Sequence, residues 1–114
     1  MAVVISNVVA IVNDGYSDFV MDIAKEKGAR GGTVIPASGS VSENARKLYG
    51  IDVHPEKEIV LILVKSDIVN DILNALYDKA GERSDAKGIF FALPVSTASE
   101  NLLKQYEDKK ESAE

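Results

Sequence analysis

The stretch Gly28-Ala29-Arg30-Gly31-Gly32-Thr33-Val34 decides how the first half of this chain is read. Upstream of it, Phe19, Val20, Ile23 and Ala24 recur at helical spacing, with Asp18, Asp22, Lys25 and Glu26 elsewhere on the surface. Gly28 is a natural stop for that helix, because glycine enters the left-handed region without a Cβ penalty. Downstream, Thr33 to Ala37 reads as a short strand. The pair Gly31 and Gly32 then needs a reason of its own. Glycines in a strand mark places where another backbone or a ligand comes close. No Gly-Lys-Ser/Thr follows, so the segment is not a P-loop.

Working outward, Val3 to Val12 is rich in valine and isoleucine and is broken by Asn13-Asp14-Gly15, which predicts a first strand. Ile59 to Val64 is an unbroken apolar run, the pattern of a strand covered on both faces, with a subunit partner covering the second face. Ser66 is placed to cap a second helix, with Asp67 in its first turn. The apolar side of that helix is Ile68, Val69, Ile72, Leu73, Leu76 and Tyr77, and Gly81 ends it. A second informative stretch, Lys87-Gly88-Ile89-Phe90-Phe91-Ala92-Leu93-Pro94-Val95, carries the last strand. Ser96 to Ser99 offers caps for a short terminal helix containing Leu102, Leu103 and Tyr106. Between the second and third strands, Ser38 to His54 has no period. Loops of that length in a small domain are often functional.

The element order predicts an α+β, ferredoxin-like βαββαβ sandwich with a long loop between strands 2 and 3 and a short C-terminal helix. Residues 1–106 form one domain, and 107–114 form a charged tail that frays. Two helices cover one face of the sheet. The other face is apolar, so oligomerisation through it is expected. The chain has 114 residues, 46% hydrophobic and 27% charged, an ordinary globular composition. No apolar run approaches the roughly 18 residues of a membrane-spanning helix, and the N-terminus has no basic region ahead of its apolar residues. Net charge is −5, aromatics are 6% and there is no Trp, which argues against a nucleic-acid partner. With no cysteine, disulfides and thiolate metal sites are excluded, and a cytoplasmic location fits.

Gly28 to Val34, the long loop, Pro55-Glu56-Lys57-Glu58-Ile59-Val60 and Lys87-Gly88-Ile89-Phe90-Phe91 together resemble the PII signalling proteins and their PII-like relatives, over nearly the whole chain. The resemblance implies a non-enzymatic sensor: a homotrimer binding adenine nucleotides in the clefts between subunits. It implies that Gly31, Gly32, Thr33 and Val34 lie on the adenine side, with Leu63 and Val64 lining the cleft. Gly39 would mark the loop base, and Lys87 and Gly88 would lie near the phosphates. The loop 38–54, with Arg46, Lys47 and Tyr49, would dock on a protein target, membrane transporters being known targets in the family. No cofactor is required; ADP, AMP or ATP is the regulatory ligand. Where classical members carry Gly-Asp-Gly-Lys, this chain has Ser84-Asp85-Ala86-Lys87-Gly88. Where they carry an Arg-x-Arg pair, it has Ser96-Thr97-Ala98-Ser99-Glu100. A γ-phosphate needs compensating charge, so ADP or AMP is favoured over ATP.

Two other readings stand beside this one. His54, with Asp52 and Glu56, could hold a metal ion in a trimer of the same fold, although one histidine with two carboxylates is a thin ligand set. Alternatively the oligomer is structural and its nucleotide site vestigial. Arg30 can be read either as a phosphate ligand or as a solvated surface charge. Neither a cysteine nucleophile nor a histidine-based triad is present, so catalysis is not expected.

Overall fold

The computed structural model describes residues 4–39 and 56–107. Its elements follow in the order β1 (Ile5–Asn13), α1 (Ser17–Glu26), β2 (Thr33–Ser38), β3 (Glu56–Lys65), a 3-10 turn (Ser66–Ile68), α2 (Val69–Ala80), β4 (Ile89–Pro94) and α3 (Glu100–Gln105). The four strands form one antiparallel sheet in the order β2-β3-β1-β4. This is the ferredoxin-like arrangement. The loop residues 40–55, including Arg46, Lys47, Tyr49, Asp52 and His54, and the tail from 108 onward lie outside the described residues.

Register sorts the side chains onto two faces, because neighbours along a strand point to opposite sides. Val34, Val60, Ala10 and Phe90 share one row, and Ile62, Val8 and Ala92 share the next. These point to the helices. The core joins Val8, Ala10, Val12, Val60, Ile62 and Val64 to Val20, Ile23 and Ala24 of α1 and to Ile72, Leu76 and Ala80 of α2. The i, i+3, i+4 spacing in α1 and the i, i+4, i+8 spacing in α2 each put one stripe on the sheet. Two expected stripe residues sit off it. Phe19 is exposed and meets Tyr16 edge-on, and Tyr77 is 66% exposed.

On the opposite face the rows are Thr33–Leu61–Val9–Phe91, Ile35–Ile59–Ile11–Ile89 and Leu63–Asn7–Leu93. Ile89, Phe91 and Leu93 are 62%, 41% and 52% exposed. The β3 run Ile59 to Val64 therefore alternates: Val60, Ile62 and Val64 are buried, while Ile59, Leu61 and Leu63 are only partly covered. The side-chain oxygen Oδ1 of Asn7 is buried in the middle of this apolar face, with no hydrogen-bond partner among the described residues.

Helix ends differ in part from expectation. Gly28 does follow α1, at φ +112°. Gly81 does end α2. Ser66, however, does not cap an α-helix. It opens the 3-10 turn, and its Oγ lies 2.6 Å from Ser6 Oγ on β1. That pairing takes the hydroxyl away from any free helix N–H, and α2 begins three residues later. Ser99 precedes α3 but caps it without a side-chain bond; its backbone carbonyl accepts from Leu102 and Leu103 instead. The N-terminus of α1 is capped from a distance. Glu58 Oε1 on β3 accepts from the backbone N–H groups of Gly15 and Ser17, at 3.1 Å each.

Candidate ligand crevice

The residues proposed for a ligand fall at opposite ends of the sheet. Gly31, Gly32, Thr33, Leu63 and Val64 lie toward the Ile5 end, where Thr33 pairs with Leu61 and Ile5 with Lys65. Gly39, Lys87 and Gly88 lie toward the Asn13 end. There Ser38 pairs with Glu56, and the Asn13 N–H donates to the Ala86 carbonyl at 2.9 Å. Leu63 is six residues along β3 from Lys57, the pairing partner of Asn13. At about 3.4 Å per residue, roughly 20 Å separates the two groups.

At the Ile5 end, Gly28, Arg30, Leu63, Val64, Lys65, Asp67, Ile68 and Tyr106 enclose a crevice of about 260 Å³. Its shape comes from unequal strand lengths. β2 begins at Thr33, opposite Leu61, while β3 continues to Lys65. Among the described residues, the edge of β3 beyond Leu61 therefore has no strand beside it. The Leu63 carbonyl on that edge accepts from the Tyr106 hydroxyl at 2.7 Å. Tyr106 is 7% exposed, although α3 before it has no buried residue. The Arg30 guanidinium stacks on the Tyr106 ring, its Cζ 4.6 Å from the centroid, and donates to the Gln105 carbonyl. A cation on the last carbonyls of a helix also meets the negative end of its dipole.

The two glycines differ. A Cβ at Gly31 would meet nothing within 4 Å. A Cβ at Gly32 would stand 2.8 Å from Met21 Sδ and 2.9 Å from the Leu61 carbonyl oxygen. The close approach at Gly32 is thus made by α1 and β3 of the same chain, which is sufficient reason for a glycine there. Gly88 is similar: its N–H donates to the Ala80 carbonyl at 2.8 Å, and a Cβ would overlap the Phe90 ring. Of Gly31, Gly32 and Gly88, Gly31 is the one with open space at its Cβ position among the described residues.

At the Asn13 end the backbone is organised by Asn13. Its Nδ2 donates to the Asp85 carbonyl at 2.9 Å, and its Oδ1 accepts from Lys57 Nζ at 2.7 Å. These bonds hold the segment 85–88, in which Lys87 adopts φ +49°. A left-handed backbone is costly for a lysine, and residues held this way cluster at functional sites. The Lys87 side chain is exposed.

Sequence reasoning missed the Arg30–Tyr106 pair. Tyr106 read as one more apolar position of a terminal helix, and Arg30 as a loop cation. The available signal was that Tyr106 is the last large apolar residue before the charged tail. Among the described residues, no three His, Cys, Asp or Glu side chains gather as a metal site. None of the described helices is long and apolar enough to cross a membrane.

The family model for nitrogen regulatory protein P-II matches residues 5–101. The chain belongs to the P-II family. Three solved structures similar to it span bacteria and plants. One, from Thermus thermophilus and described as a PII-like signalling protein, has 19% identity and a TM-score of 0.63, covering 82% of this chain and 87% of its own. Another is CPII, a nitrogen regulatory PII-like protein from Thiomonas intermedia, bound to ADP, AMP and bicarbonate. It has 14% identity and a TM-score of 0.63, covering 87% of this chain and 98% of its own. The third, Arabidopsis thaliana PII bound to citrate, has 28% identity and a TM-score of 0.60, covering 81% of this chain and 75% of its own. Comparison by sequence with curated proteins gives no match. Members of the P-II family are regulatory proteins, and this chain shares their fold.

Proposed function

We infer that this P-II family member is a cytoplasmic, non-enzymatic homotrimeric sensor of adenine nucleotides, favouring ADP or AMP over ATP, which regulates a protein partner through the loop 38–54. The observation that carries the reading is the division of the residues proposed for the ligand between two ends of one sheet. Gly31, Thr33, Leu63 and Val64 lie at one end, with Gly39 and Lys87 at the other, roughly 20 Å away along β3. One mononucleotide can touch both sets only where two copies of the chain bring opposite ends together. Gly32, Val34 and Gly88 belong to the same proposed lining, the two glycines chiefly by shaping the backbone there.

The open sheet face supports assembly. Exposed Ile35, Ile89, Phe91 and Leu93 form a continuous apolar surface with Ile59, Leu61 and Leu63. Such surfaces on small soluble domains are usually interfaces. The preference for ADP or AMP rests on the missing arginine pair at Ser96 to Glu100, since the γ-phosphate demands extra positive charge. Bound ADP and AMP in the Thiomonas protein are in keeping with that class of ligand. Partner control requires only that nucleotide bind the competent and incompetent loop states differently. A tenfold change in partner affinity corresponds to about 1.4 kcal/mol.

The test is isothermal titration calorimetry with ADP, AMP and ATP, combined with light scattering to count subunits. Saturable ADP or AMP binding near one site per chain by a trimer is the expected result. A monomer, or a trimer silent to all three nucleotides, refutes the reading and returns attention to metals or to a purely structural oligomer.

A further inference from the structure

We propose that Tyr106 and Arg30 form an autoinhibitory latch, in which the C-terminal helix α3 occupies the crevice and an adenine nucleotide must displace it. The proposal rests on the nucleotide reading above and adds to it a competitor built into the chain. Two polar groups of the crevice suit a nucleotide: the Leu63 carbonyl on the unpaired edge of β3, and the Arg30 guanidinium. Both are already engaged by the C-terminal segment, the first by the Tyr106 hydroxyl and the second by the Tyr106 ring and the Gln105 carbonyl.

A nucleotide offers the same chemistry in a stronger form. Adenine has an exocyclic amino donor for an edge carbonyl and a flat π-face where the tyrosine ring now lies. A phosphate offers Arg30 an oppositely charged, bidentate partner in place of a single neutral carbonyl. The displaced segment has little to hold it in place. α3 is six residues long with none buried, far below the length at which a helix persists alone. Tyr106 is its anchor, nearly fully buried beside a helix that is not. Release of Tyr106 therefore unseats residues 100–106 together. The segment also starts from Pro94, paired with Ser6 of β1, and ends against the far edge of β3. It thus spans the end of the sheet, and nucleotide occupancy would be read out there as well as in the loop 38–54.

While the latch is closed, apparent affinity falls by the fraction of molecules that are open. Tyr106→Phe removes the hydroxyl bond and keeps the ring, so ADP should bind about threefold to tenfold tighter, the range of one neutral hydrogen bond. Tyr106→Ala should tighten binding by about tenfold or more. The experiment measures ADP affinity of the full-length wild type and both variants by calorimetry, and hydrogen exchange at residues 100–106 with and without ADP. Tighter binding by the variants, with faster exchange at 100–106 on adding ADP to wild type, supports the latch. Wild-type binding with exchange unchanged or slowed, and variants equal or weaker, overturns the latch and leaves the nucleotide reading intact. Absence of binding by all three proteins overturns both. If Tyr106→Ala fails to fold by circular dichroism, Tyr106→Phe and the wild-type exchange data decide.

Discussion

Substituting Gly32 by alanine separates a glycine required by the fold from one required by a ligand. The added methyl would sit 2.9 Å from the Leu61 carbonyl oxygen and 2.8 Å from Met21 Sδ, with Ile62 Cγ1 at 3.3 Å. Met21 can swing its sulfur aside. The Leu61 carbonyl cannot, because β3 is held by β1 on one side and by β2 on the other. Relief must come from β2 and the 28–32 connection moving off β3, which loosens the Thr33–Leu61 pair. Overpacking of this kind costs about 1–3 kcal/mol. Restricting the unfolded chain returns about 0.4–1 kcal/mol. The net expectation is a loss of about 1–2 kcal/mol. At a urea slope of about 1–3 kcal/mol per molar, the midpoint drops by roughly 0.3–2 M.

The assay is urea denaturation followed by far-UV circular dichroism, at one fixed protein concentration because assembly adds a mass-action term. Gly31→Ala is the internal control. Nothing lies within 4 Å of its Cβ, so its stability should stay within about 0.5 kcal/mol of wild type. The reasoning fails if Gly32→Ala is as stable as wild type. Loss of nucleotide binding in such a stable variant would assign the glycine to the ligand. Gly31→Ala carries the cleaner ligand test, since any loss of ADP affinity there comes without a packing defect.

Other outcomes follow from single residues. Phe91→Lys puts a charge into the Thr33–Leu61–Val9–Phe91 row of the open face, so light scattering should find monomers where the proposed assembly predicts trimers for the wild type. Lys87→Gly relieves a left-handed lysine worth about 1–2 kcal/mol, less the extra entropy of an unfolded glycine. The variant should be equal or more stable by up to about 1 kcal/mol in thermal melts, yet bind ADP more weakly if the charge serves phosphate. Glu58→Ala deprives the Gly15 and Ser17 N–H groups of their acceptor and should cost about 1–2 kcal/mol in urea denaturation, with nucleotide affinity unchanged.

The sheet and its two helices were legible because local signals agreed. Gly28 stopped α1 where the apolar stripe ended, and the valine- and isoleucine-rich runs became strands near their expected bounds. Misreadings arose where a distant partner outcompeted the local one. Ser66 looked like a cap, but its hydroxyl pairs with Ser6, sixty residues away. The actual cap of α1 is Glu58, more than forty residues downstream, which no local pattern reveals. At Gly32 the sequence marks a close approach but cannot show that Met21 and the Leu61 carbonyl lie there. The Arg30–Tyr106 pair joins positions more than seventy residues apart, through a stacking contact without a sequence period.

The crevice follows from a mismatch in strand length. β2 pairs with β3 only from Thr33 onward, because α1, its glycine stop and the 28–32 connection take up the chain that would otherwise extend it. β3 continues past that point, since its other edge is held by β1 as far as Ile5. The result is a length of strand satisfied on one side only, near Arg30 and Lys65. An open strand edge invites another hydrogen-bonding partner. In this chain the partner is its own Tyr106. A side-chain hydroxyl is easier to displace than a paired strand, because it surrenders one bond where a strand surrenders a ladder. The same geometry that leaves the edge available thus makes its present occupant exchangeable, and a ligand that takes the Leu63 carbonyl must move the C-terminal segment to reach it.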